Sequence, residues 1–150
     1  IVNSIMKNIL KRIFGKKIKD EKEKSHSEVD FAVLVILIRA AIIDGSKEEV
    51  EITTIKKIAL ENLKIDDNEI DELIRKAIKA EEDSTDLFKW TKIINENYEE
   101  QKKLELFSMV CQTIVSDGII DPFESNLIRR LSGLLYITDK MAGEILKKYR

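Results

Sequence analysis

A chain of 150 residues with 26 basic and 28 acidic side chains, formal net charge −2, is long enough for one domain with its own core. One proline, five glycines and an abundance of Lys, Glu, Ile and Leu point to an all-α protein rather than a sheet or a disordered segment. A single cysteine excludes an internal disulfide and fits a reducing compartment, and a single histidine, His26, excludes any histidine pair.

The charge is unevenly spread. Residues 1–24 hold eight basic and three acidic side chains, +5, which leaves −7 on the remaining 126 residues. An acidic body argues against nucleic acid as a partner, because phosphate contacts need clustered Lys and Arg.

In chain order, the first predicted element is an amphipathic helix over 1–17. Ile1, Val2, Ile5, Met6, Ile9, Leu10, Ile13 and Phe14 form its apolar stripe, with Lys7, Lys11 and Arg12 on the other positions. Gly15 offers a stop, and a charged stretch follows to Lys24. Two roles fit this arm. Ile5, Ile9, Ile13 and Phe14 can enter an anionic membrane surface while Lys7, Lys11 and Arg12 meet its headgroups. Alternatively the stripe packs on the domain body or on a second subunit as a homodimer contact. Lysines interrupt every apolar segment here, so a secretory signal is not expected. The first residue is not Met, so the true N-terminus lies open.

The body, residues 25–150, is expected to hold about seven helices. From Phe31 to Ile43 every residue but Arg39 is apolar, which places a helix over 28–43 at the domain centre. Thirteen residues are too few to cross a bilayer, which needs about 20. Ser46 to Glu49 reads as a capping box for the next helix, with Val50, Ile55, Ile58 and Leu63 available for packing. Asp66 to Glu69 is an acidic start for a helix carrying Ile70, Leu73, Ile74, Ala77 and Ile78, and Ser84 to Asp86 opens another with Leu87, Trp90, Ile93 and Ile94 on one side. Phe88, Trp90 and Phe107, at helical spacing, are expected in the core rather than around a ligand.

A long helix over 98–116 follows, with Leu104, Leu106, Phe107, Val110 and Ile114 inward. Cys111 shares that apolar stretch and is expected to be a buried, inert thiol. Asp121, Pro122 and Glu124 form an N-cap, a first-turn proline and the far side of a capping box. Thr138 and Asp139 start the last helix.

Asp-Gly with a Glu six positions after the glycine occurs twice, as Asp44-Gly45 with Glu51 and Asp117-Gly118 with Glu124. The copies lie 73 residues apart. Laying 31–65 over 104–137 matches an apolar helix, the turn, a capped helix and a closing Leu-x-Ile, with one residue of slippage near the end. A duplicated helical hairpin is the predicted plan. Each turn gathers carboxylates: Asp44, Glu48 and Glu51 in the first, Asp117, Asp121 and Glu124 in the second. Members three apart share a helix face. Oxygen donors without thiolate or imidazole suit a hard cation, Ca2+ or Mg2+, held weakly. These are not EF-hands, since the two upstream ligand positions fall on Ala40 and Ile42, or Thr113 and Val115. The alternative is that the same acids cap helices, contributing about 0.5–2 kcal/mol per cap.

The run Ala41-Ile42-Ile43-Asp44-Gly45 with Glu51, and Val115-Ser116-Asp117-Gly118 with Glu124, resembles the TerB-like family of tellurite-resistance-associated proteins. Asp86-Leu87-Phe88 and the ending Leu134-Leu135-Tyr136-Ile137 add to the likeness, which covers residues 28–148 and leaves out the basic arm. The resemblance implies a compact all-α bundle of two pseudo-symmetric halves. It also implies acidic residues suspected of metal binding, and a stress-response role near the membrane. It does not imply catalysis. The residues agree, because Ser/His/Asp and Cys/His arrangements and a glycine-rich phosphate loop are all missing from the sequence. The expectation is a non-enzymatic, cytoplasmic interaction or scaffold module, possible at the inner face of the membrane, with a protein partner and no nucleic acid.

Overall fold

The structure, a computed structural model, describes residues 28–42, 49–84, 86–115 and 120–149, and for 49–51 the backbone alone. Seven helices and no strand occur among the described residues. They are α1 (28–42), α2 (Glu49–Asn62), α3 (Ile70–Asp83), α4 (Phe88–Asn97), α5 (Glu100–Ile114), α6 (Pro122–Leu134) and α7 (Asp139–Lys147). The duplication read from the sequence pairs α1 with α5, α2 with α6 and α3 with α7.

The helix that is apolar on every side lies at the centre, as its composition requires. Seven consecutive residues of α1, Ala32 to Ile38, are at most 1% exposed. The one charged residue within its apolar run is held by a partner: Arg39 Nη1 donates to Glu81 Oε1 of α3 at 2.8 Å. Phe31 sets its ring edge-on against Trp90 of α4, with centroids 5.9 Å apart. The second buried helix is α5, where Leu106, Phe107, Val110 and Cys111 are all fully enclosed. It packs on α2, α6 and α7, while α2 also rests on α3 and α4 on α6.

Helix starts follow their predicted chemistry in two places. Asp121 and Thr138 are N-caps with extended backbone, and the Thr138 hydroxyl accepts from the Met141 amide. Elsewhere the boundaries differ. Residues 67–69 form a turn and α3 begins at Ile70, with the Asp66 carbonyl accepting from the amides of Glu69 and Ile70 and no side-chain cap. Asp71 and Glu72 supply the acidic first turn instead. At the next junction Asp86 Oδ1 accepts from the Phe88 amide, so α4 starts two residues beyond the acid. Tyr98 and Glu99 are extended and separate α4 from α5, so the predicted helix over 98–116 is shorter at its front.

Phe88 is the clearest correction. It is 58% exposed, not in the core. The inward face of α4 carries Leu87, Trp90, Thr91 and Ile94, and Phe88 stands about a quarter-turn away from that stripe. Trp90 and Phe107 are buried as expected. None of the helices among the described residues is long and apolar enough to cross a membrane.

Candidate functional site

At the head of α6 the sequence Asp121-Pro122-Phe123-Glu124 closes a reciprocal cap. Asp121 Oδ1 accepts from the Glu124 amide at 2.7 Å, and Glu124 Oε1 accepts from the Asp121 amide at 3.2 Å. Pro122 occupies the first helical position, where no amide hydrogen is needed. Two of the six predicted metal-turn residues are thus brought together at one helix end. Asp44, Glu48 and Asp117 lie outside the described residues, as does the side chain of Glu51, whose backbone is in α2. Among the described residues, no group of three or more His, Cys, Asp or Glu is placed to hold a metal ion. Ile5, Ile9, Ile13, Phe14, Lys7, Lys11 and Arg12, the predicted membrane or partner contacts, also lie outside them.

A second feature went unread in the sequence. The front of α5 and the α6–α7 turn enclose a groove of about 320 Å³. Glu100, Lys103 and Leu104 form one wall. Leu135, Tyr136 and Ile137 form the other, and Thr138 and Met141 close the end at α7. Tyr136 has φ 59°, the left-handed region that favours glycine, and its side chain is 82% exposed. The turn is a Schellman cap: the Ile137 amide donates to the Ser132 carbonyl at 2.8 Å, and the Tyr136 amide to that of Gly133 at 3.2 Å. Glycine normally takes the left-handed position of this cap; here it sits three residues earlier, at Gly133, and a tyrosine bears the strain. Lys103 Nζ stands 5.6 Å from the Tyr136 ring centroid, a cation–π contact across the groove. The only sequence signal was a helix ending without glycine after its last apolar residue.

The family model for the tellurite resistance protein TerB matches residues 30–146, most of the chain and both acidic turns. The chain belongs to the TerB family. No curated protein and no solved structure matches it. The TerB match takes in all but the first two residues of α1, the whole of α2 to α6 and all but the last residue of α7, together with the groove.

A buried thiol and a half-buried phenol hold their protons tightly in this TerB domain. Burial pushes the Cys111 thiol from 9.0 up to about 12, which fits an inert core cysteine rather than a nucleophile. Burial, then the nearby carboxylates of Asp30 and Glu105, push Tyr98 from 10.0 up to about 12. The folded state therefore keeps both protons over a range in which the unfolded chain releases them. Stability is expected to fall as pH rises from 9 towards 12. Urea midpoints measured near pH ~8 and pH ~11 check this: a lower midpoint at the alkaline pH is expected, and equal midpoints contradict it.

Proposed function

We propose that the chain is a non-enzymatic TerB-family module that holds hard divalent cations, Ca2+ or Mg2+, at its acidic turns and presents its surface to a protein partner in a stress response. The pairing of Asp121 with Glu124 at one helix head, inside the span of the family match, carries this reading. The capping bonds engage Oδ1 of Asp121 and Oε1 of Glu124. An ionised carboxylate accepts at about four lone-pair sites on two oxygens, so capping and cation binding are compatible. Asp117 would complete this set, and Asp44, Glu48 and Glu51 would form its counterpart in the first half. A donor set of carboxylates and water suits Ca2+ or Mg2+ over zinc, with dissociation constants of about 10⁻⁴–10⁻³ M. In this reading the basic arm, residues 1–17, adds a peripheral contact at the inner membrane face or with a second copy.

The closed capping box favours a second reading, in which the turns are caps alone and the module binds its partner without metal. Calorimetric titration of the full chain with Ca2+, Mg2+ and Mn2+ separates the two. Saturable heat that disappears in the Asp44→Asn/Asp117→Asn double variant is the result expected of ion sites. Absence of heat up to millimolar ion would leave only the capping role.

A further inference from the structure

The groove between the front of α5 and the α6–α7 turn has the make-up of a small-molecule site. Its volume of about 320 Å³ stands at the lower end of the usual range, about 300–1,000 Å³, so it suits one small metabolite rather than a helix. Leu135 and Ile137 are buried at its base, and half-buried Leu104 and the exposed Met141 side chain continue the apolar floor. An apolar group laid on such a floor removes it from water.

The charged lining is one acid and one base. Glu100 and Lys103 share a face of α5, three residues apart, a spacing at which Glu and Lys commonly pair. Among the described residues, however, neither is in an ion pair. The Lys103 ammonium is turned to the face of Tyr136 instead. At the α7 end the Thr138 hydroxyl oxygen accepts from the Met141 amide, which leaves its hydrogen to donate. Two charges of opposite sign and one donor thus border a single apolar floor. An anion would leave Glu100 without a partner and a cation would leave Lys103 so, whereas a zwitterion meets both. Tyr136 closes the remaining side: its left-handed backbone is a strain of the kind that clusters at ligand clamps, and it holds an exposed ring at the mouth.

We infer that this groove binds a free α-amino acid with a large apolar side chain, of the phenylalanine or leucine type. The side chain lies on Leu104, Leu135, Ile137 and Met141. The carboxylate meets the Lys103 ammonium and the Thr138 hydroxyl, and the ammonium meets Glu100. The site lies at the opposite end of α6 from Asp121 and Glu124, and the inference does not rest on cation binding.

Calorimetric titration of the full chain with phenylalanine and leucine tests it, with N-acetylphenylalanine, phenylalaninamide and serine as comparisons. The first comparison lacks the ammonium, the second the carboxylate and the third the apolar side chain. Saturable binding of the two free apolar amino acids is expected, with each comparison about tenfold weaker or more. Glu100→Gln is expected to weaken phenylalanine about tenfold and to remove its advantage over the N-acetyl form. Lys103→Met does the same with respect to the amide form. Tyr136→Gly relieves the strained cap, so it is expected to raise the unfolding midpoint while weakening phenylalanine about tenfold. A purely structural role would move stability and binding together. No binding up to about 10 mM amino acid overturns the proposal, as does equal binding of the free and capped forms. Binding that is unchanged in both Glu100→Gln and Lys103→Met places the amino acid elsewhere and overturns it equally.

Discussion

Phe107→Ala is expected to lower the unfolding free energy by about 3–5 kcal/mol, the range for deleting a buried aromatic ring from a packed core. Phe107 is fully enclosed in α5, the helix against which α2, α6 and α7 all pack. Its removal leaves a void bordered by several elements, and no single helix can shift to fill it. Native domains are stable by only about 5–15 kcal/mol, so this variant has roughly a fifth or more of its stability removed. Urea unfolding followed by circular dichroism checks the figure. A loss below about 1 kcal/mol would mean that α5 is not at the centre of the packing.

The second large effect concerns the Arg39–Glu81 pair. Glu81 has its side chain 7% exposed, and Arg39, 33% exposed, lies 2.8 Å away. Arg39→Met leaves the Glu81 carboxylate enclosed without this cation. Breaking a buried pair costs about 3–5 kcal/mol, and the partial exposure of Arg39 puts this case near the lower end, about 3 kcal/mol. The double variant Arg39→Met/Glu81→Leu removes both charges and is expected to recover most of that loss. Equal destabilisation of the single and double variants would show that the pair contributes through packing of the arginine stem and not through charge.

These two sites differ in how far the sequence exposes them. The central place of α1 was legible because a helix apolar on all sides has nowhere else to go, and Ala32 to Ile38 are enclosed accordingly. Asp121 and Thr138 were legible as caps because capping is local chemistry within three residues. Arg39 was legible only as an exception to an apolar run, since its partner lies 42 positions away. Phe88 misled because hydrophobicity alone does not fix a helix face, and its neighbour Leu87 took the inward position. The start of α3 was displaced because a backbone turn from Asp66 replaced the expected side-chain cap.

The groove was hidden for a different reason. Its walls come from residues 100–104 and 135–141, and only the tertiary packing of α5 on α6 and α7 brings them together. The left-handed Tyr136 carries no signature in composition, because the sequence places glycine at position 133 and not at the cap. Of the acidic turns, only Asp121 and Glu124 have described side chains, and local capping explains why they meet.

Native mass spectrometry of the full chain in the presence of Ca2+ tests the central claim most directly, because the proposal of one ion at each acidic turn predicts a stoichiometry. Two bound ions per chain are expected, falling to one in either Asp44→Asn or Asp117→Asn and to none in the double variant. A wild-type chain that binds no ion, or a count unchanged by these substitutions, would contradict the account.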